Sequence, residues 1–68
     1  MKTDTKNKLE KRLQILKNGS PISIGKYVYI AEKQVVNGAT HYDILKLSDM
    51  DKTLVGQILA DGKLFWFV

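Results

Sequence analysis

The dipeptide Asn37-Gly38 constrains this chain more than any other local feature. It separates two β-rich runs, Tyr27–Ala31 and Tyr42–Leu47. Asn and Gly both tolerate positive φ, so the pair favours a two-residue type I′ turn, whose twist matches that of the strands it joins. Such a turn fixes the pairing register of the strands. The sequence therefore predicts a long hairpin with strands over 26–36 and 39–48.

The predicted register divides the hairpin side chains between two faces, because residues alternate along a strand. One face is apolar near the base of the hairpin and carries Val28, Ile30, Leu45 and Leu47. The other carries the three tyrosines, Tyr27, Tyr29 and Tyr42. We expect a helix to cover the first face and to leave the tyrosines on the uncovered one.

A second hairpin is predicted at Asp61-Gly62, between strands over 53–60 and 63–68. A two-residue turn there pairs Ile58 with Phe65. Both faces of this hairpin are apolar. The face with Leu54, Ile58, Phe65 and Phe67 is expected to join the core. The opposite face would carry Val55, Leu59, Leu64, Trp66 and Val68.

The N-terminal segment predicts one amphipathic helix over about 4–18. Leu9, Leu13 and Leu16 recur at i, i+4 and i+7 and form a narrow apolar stripe. Gly19 supplies the left-handed position that ends many helices, and Pro21 follows it. Three leucines do not hold a helix in water, so this helix is expected to pack on the sheet.

These elements predict an α+β fold in one domain, 1–68. The N-terminal helix packs on one face of a three- or four-stranded antiparallel β-meander, which can curl toward a small barrel. The segment Pro21–Gly25 is short and alternating, and is interpreted as an edge strand or a lead-in.

Composition narrows the function classes. The 68 residues contain no cysteine, which excludes a disulfide framework and a thiolate metal site. No signal peptide or membrane-spanning run is recognisable, so the expected location is cytoplasmic, with no membrane partner. The net charge of +4 lies entirely in residues 1–18, which hold six basic and two acidic side chains.

The primary functional hypothesis is a small non-catalytic interaction protein: a homodimer, an adaptor or an inhibitor of another protein. Since one helix covers one sheet face, the second apolar face needs another partner or a closed barrel. The expected interaction surface comprises Tyr27, Tyr29, Tyr42, Leu59, Leu64, Trp66 and Val68. Packing of these aromatics within the protein, closing a barrel, is the structural alternative.

The alternative function is nucleic-acid binding. Basic residues on the helix and on the tyrosine face could neutralise phosphates while the tyrosines stack on bases. The candidate residues are Lys8, Lys11, Arg12, Lys33 and Lys46. Such binding would weaken steeply with salt.

Catalytic and metal sites are poorly supported. His41 is the only histidine and shares the predicted hairpin tip with Glu32 and Asp43. This set resembles an incomplete metal site, and a solvated polar tip explains it better. Asp49 and Asp51 are typical of an ordinary polar turn. No enzyme activity, cofactor or metal is therefore expected.

Overall fold

The computed structural model describes residues 1–68, and their elements follow one another as two helices and five strands. The helices are α1 (Thr3–Glu10) and α2 (Leu13–Lys17). The strands are β1 (Ile22–Ile24), β2 (Tyr27–Val36), β3 (Ala39–Ser48), β4 (Asp51–Ile58) and β5 (Leu64–Trp66). All neighbouring strands are antiparallel, in the order β1-β2-β3-β4-β5. The α+β meander is confirmed, with five strands instead of three or four.

The Asn37-Gly38 hairpin has the predicted register from end to end. Val36 pairs with Ala39, and the ladder runs to the pair Val28 and Leu47. Asn37 has φ 51° and Gly38 has φ 79°, the two positive values that a type I′ turn needs. All nine residue pairs of this ladder have the register that the dipeptide predicts.

The second hairpin is shifted by one residue from the prediction. The Gly62 N–H donates to the Leu59 carbonyl over 2.9 Å, and the Leu59 N–H donates to the Lys63 carbonyl over 2.8 Å. Gly62 has φ 88°. This is a three-residue loop closed by a bulge glycine, so the expected two-residue turn was wrong. Ile58 consequently pairs with Leu64 instead of Phe65.

A bulge in β4 changes the alternation of that strand. Leu45 pairs with Leu54 and Ile44 pairs with Gly56, which leaves Val55 as the extra residue. Val55 is buried and belongs to the core cluster, whereas Leu54 is 43% exposed. The prediction that Leu54 would join Ile58 in the core was wrong for this reason.

The N-terminal helical segment is divided, which the leucine periodicity did not show. Arg12 has φ −123° and ψ 24°, outside the helical region, and separates α1 from α2. Its N–H donates to the Leu9 carbonyl three residues back. Leu9 and Leu16 are nevertheless both fully buried, so the stripe still reaches the core. The sequence carries no glycine or proline at this break.

The end of α2 follows the prediction. Gly19 has φ 87°, its N–H donates to the Leu16 carbonyl, and the Ser20 N–H donates to the Ile15 carbonyl. These two bonds form a Schellman motif. After it, Ile22–Ile24 forms an edge strand on β2, as one of the two interpretations of that segment proposed.

The core lies on one face of a sheet that curls into a half-barrel. We call this the inner face. Its buried cluster contains Leu9 and Leu16 from the helices together with Ile22, Tyr29, Ile44, Val55 and Ile58 from four strands. Residues from both edge strands, Ile24 and Trp66 among them, pack against the same cluster. Neither α1 nor α2 has the length and apolar composition of a membrane-spanning helix.

Candidate functional site

The three tyrosines lie on the inner face, so their assignment to an uncovered face was wrong. Tyr29 is buried in the core cluster at 3% exposure, and Tyr27 and Tyr42 pack against that cluster. The inner face has small residues, Ala31 and Gly56, on either side of Ile44 in one cross-strand row. The absence of a side chain at Gly56 leaves room on this face for the ring of Trp66, which packs directly over it.

Leu64 and Trp66 also lie on the inner face, because the shifted register turns β5 over. Trp66 pairs with Gly56, and both Leu64 and Trp66 pack against the core cluster. The Trp66 indole Nε1 donates to the Glu10 carboxylate of α1 over 3.0 Å. The expected exposed surface at these residues is therefore wrong, since one register slip reverses the faces of a strand.

Tyr29 is the only buried residue of the expected interaction surface, and Leu59 and Val68 are the two members that do not pack against the core cluster. Leu59 is half-buried and lines a cavity of about 250 Å³ together with His41 and Gln57. Val68 is 50% exposed.

The face left uncovered is the one that the sequence interpretation gave to the core. We call it the outer face, and its members are Val28, Ile30, Leu45, Leu47, Leu54 and Phe65. Along the strands these residues alternate with those of the inner face, so they lie on the opposite side of the sheet. None of them belongs to the core cluster or packs against it. Leu54 and Phe65 are 43% and 51% exposed, and Phe67 beyond β5 is 52% exposed.

One ion pair crosses the outer face. Lys52 lies in the row of Val28 and Leu47, and Glu32 lies in the row of Asp43 and Gln57. The Lys52 Nζ nevertheless reaches the Glu32 carboxylate at 2.9 Å. The pair must therefore pass diagonally over the row between them, Ile30–Leu45–Leu54. Leu45 is only 7% exposed, as expected for a side chain that lies beneath this ion pair.

The polar side chains at the hairpin-tip end of the outer face have hydrogen-bond or ion-pair partners within the protein. Glu32 and Asp43 are directly opposite each other, and each has a separate partner. Glu32 accepts from Lys52, while Asp43 accepts from the Gln57 amide at 2.8 Å. His41 Nε2 lies 3.5 Å from the same Asp43 oxygen. These residues form a hydrogen-bonded polar tip, and no cluster of three metal-ligating side chains is present.

The five basic residues proposed to contact nucleic acid are distributed over separate parts of the fold. Lys8 in α1 pairs with Asp4 at 3.2 Å. Lys11 and Arg12 are exposed at the break between the helices. Lys33 pairs across the sheet with Tyr42 near the hairpin tip. Lys46 instead lines a cavity with Tyr27 and Tyr29 beside the start of α1.

Comparisons with protein-family models, with curated proteins and with solved structures found no match. The candidate sites are therefore defined by geometry and charge.

Proposed function

We propose that this protein is a small non-catalytic interaction module that associates with a second copy of itself through the outer face. The observation that carries this proposal is the apolar outer face, which the helices leave uncovered and on which Leu54 and Phe65 are 43% and 51% exposed. Contiguous apolar patches rimmed by polar groups typically mark interaction sites on soluble proteins. The expected interaction surface thus moves from the tyrosine face to the opposite face of the same sheet.

The charges at the rim favour a second copy as the occupant. Lys52 and Glu32 stand at opposite ends of one diagonal across the outer face. A two-fold axis in the interface, perpendicular to this diagonal, brings Lys52 of one copy over Glu32 of the other. The intramolecular ion pair is then exchanged for two intermolecular ones. Strands crossing at a large angle are an established way for two sheets to pack.

The available surface is adequate for a dimer. The chain exposes 4626 Å² in total, and a standard interface covers about 800 Å² of each partner, or about a sixth of that surface. The outer face supplies apolar side chains from four neighbouring strands, β2 to β5. Its removal from water would contribute about 25 cal/mol per Å² of apolar area, before the entropic cost of association.

The test is the oligomeric state of two matched variants. Leu54→Glu places a carboxylate at the exposed end of the middle row of the outer face, and Val35→Glu places one on the exposed hairpin outside it; the two wild-type side chains are 43% and 62% exposed. Sedimentation velocity from about 10 μM to 1 mM is expected to show dimer for wild type and Val35→Glu. We expect Leu54→Glu to remain monomeric at all concentrations, with circular dichroism confirming that it is folded.

A wild-type protein that stays monomeric at about 1 mM would overturn the homodimer proposal. Equal loss of association in both variants would also overturn it, because the effect would then follow net charge instead of the outer face.

A further inference from the structure

A cavity of about 320 Å³ opens beside the start of α1, on the inner-face side of the sheet and away from the proposed dimer surface. Its walls come from the first turn of α1, the β1–β2 turn and the strands β2 and β3. The lining residues that bear on its chemistry are Lys2, Thr5, Lys26, Tyr27, Tyr29 and Lys46. This volume is within the range of small-molecule sites.

The lining is strongly basic and contains no carboxylate. Lys2, Lys26 and Lys46 all reach it, and the ion pairs of the protein involve none of the three. Two of their ammonium groups stand over one aromatic ring: Nζ of Lys46 is 4.6 Å and Nζ of Lys26 is 5.7 Å from the Tyr27 ring centre. Two ammonium groups beside one ring, with no carboxylate in the lining, make the cavity favourable to an anion.

Tyr29 provides an unpartnered hydrogen-bond donor in the same cavity. The residue is 97% buried, at 3% exposure, and no protein group hydrogen-bonds its hydroxyl. No fully buried polar atom lacks a partner, so this hydroxyl must reach the cavity it lines. Burial and the neighbouring Tyr27 raise the pKa of Tyr29, which keeps the phenol protonated and able to donate.

The first turn of α1 adds to the positive electrostatic potential of the cavity. The residue that precedes it, Lys2, makes no side-chain cap, so the first N–H groups of the helix have no side-chain acceptor there. The helix dipole is positive at this end. Asp4 in the same turn is engaged with Lys8 at 3.2 Å.

We infer that this cavity binds a small phosphorylated molecule through its phosphate group, held by Lys2, Lys26 and Lys46 and by the hydroxyl of Tyr29. Three ammonium groups match a multiply charged oxyanion, and charge-assisted hydrogen bonds are the strongest that side chains offer. The cavity leaves room beside the phosphate for the remainder of a small ester.

The experiment is a titration of the ¹⁵N-labelled full chain with inorganic pyrophosphate and with adenosine monophosphate, at low ionic strength. We expect shift changes to concentrate at the first turn of α1, the β1–β2 turn and residue Lys46. Lys46→Gln should weaken binding by about tenfold and Tyr29→Phe by about threefold, as for loss of a charged and a neutral hydrogen bond. Lys33→Gln removes the same charge from the same sheet outside the cavity and should leave the affinity unchanged.

Circular dichroism of each variant separates lost binding from lost folding. Absence of shift changes at about 10 mM pyrophosphate would overturn the inference, since such affinity is below the weakest specific range. Equal weakening by Lys33→Gln and Lys46→Gln would overturn it as well. A single-stranded oligonucleotide without a terminal phosphate provides the last arm. If only this oligonucleotide causes shift changes, and these lie at Lys8, Lys11 and Lys33, the anion contacts belong to a nucleic-acid surface. The cavity proposal is then wrong.

Discussion

The indole of Trp66 donates a 3.0 Å hydrogen bond to the carboxylate of Glu10, joining the last strand to the end of α1 across 56 residues of sequence. Trp66 also packs against the core cluster, so its ring is held by apolar contacts and its N–H by one polar partner. A carboxylate at the C-terminal end of a helix is unfavourable to the helix dipole. The hydrogen bond from Trp66 offsets this unfavourable position of the Glu10 carboxylate.

Glu10→Ala is therefore expected to lower the free energy of unfolding by about 1 kcal/mol, the usual net value of such a bond at an accessible position. Glu10→Gln keeps an oxygen acceptor and should lose less than half as much. Urea unfolding followed by Trp66 fluorescence measures both. Asp4→Ala, which removes only a surface ion pair of α1, is the control and should cost less than about 0.5 kcal/mol. Equal losses in Glu10→Ala and Asp4→Ala would contradict a specific role for the Trp66 bond.

Gly56 is required by the packing of Trp66 on the sheet. A Cβ at this position would lie 2.6 Å from the Phe65 carbonyl oxygen and 2.7 Å from a Trp66 ring carbon. The first contact is with backbone, so a side-chain rotation does not relieve it. Gly56→Ala should destabilise the fold by about 2–3 kcal/mol, the upper range of overpacking in a core.

Gly19→Ala is the matched control for that substitution. Its Cβ would meet nothing within 4 Å, and only the φ of 87° opposes the change. A loss of about 1 kcal/mol is expected there. Thermal unfolding of both variants tests the difference, and a Gly56→Ala protein as stable as Gly19→Ala would show that β5 does not sit against Gly56.

The two hairpins show how far turn chemistry determines a fold. Asn37 and Gly38 both tolerate the positive φ values that a type I′ turn requires, and the observed ladder has the register of that turn. Asp61-Gly62 suits either a two-residue loop or a three-residue loop that ends in a bulge glycine. The structure has the second, and the slip of one residue turns Phe65 outward and Trp66 inward.

Face assignment needed information that the alternation of apolar residues does not contain. Val28, Ile30, Leu45 and Leu47 form the more apolar face of the first hairpin, yet the core lies on the tyrosine face. The usable signal was Gly56, whose missing side chain leaves space for the ring of Trp66 on the inner face. The helix break at Arg12 has no glycine or proline to mark it. The bulge at Val55 does have a signal, because Gly56 follows it and a glycine inside a strand often marks a bulge. The cavity lysines, Lys2 and Lys26, were missed because they meet only through the β1–β2 turn and α1.

Tyr29 should titrate abnormally late. Burial first, and the neighbouring Tyr27 second, raise its pKa above the ordinary value of 10.0. Above pH 10 the unfolded chain releases this proton while the folded chain retains it, so stability falls as the pH rises through the folded pKa. Absorbance at the tyrosinate band should show one late step that Tyr29→Phe removes and Tyr42→Phe retains. Loss of the late step in Tyr42→Phe would contradict this assignment.

The dimer proposal makes a prediction that an intramolecular ion pair alone does not. Lys52→Glu leaves both ends of the outer-face diagonal acidic, and Glu32→Lys leaves both ends basic. Each variant alone should self-associate at least about tenfold more weakly than wild type, because like charges meet across the two-fold axis. In an equimolar mixture the acidic and basic faces are complementary, so heterodimers should form. Sedimentation of the two samples and of their mixture provides the measurement.

The doubly exchanged chain, Lys52→Glu with Glu32→Lys, is the control for this mixing experiment, since it restores the ion pair within one copy and should dimerise as wild type does. Mixing single variants restores opposite charges only between copies, because within each copy the two ends still repel. A mixture as monomeric as its separate components, beside a dimeric wild type, would mean that Lys52 and Glu32 do not meet across the interface. The two copies would then associate through the apolar outer face, but not in the orientation that places Lys52 of one copy over Glu32 of the other.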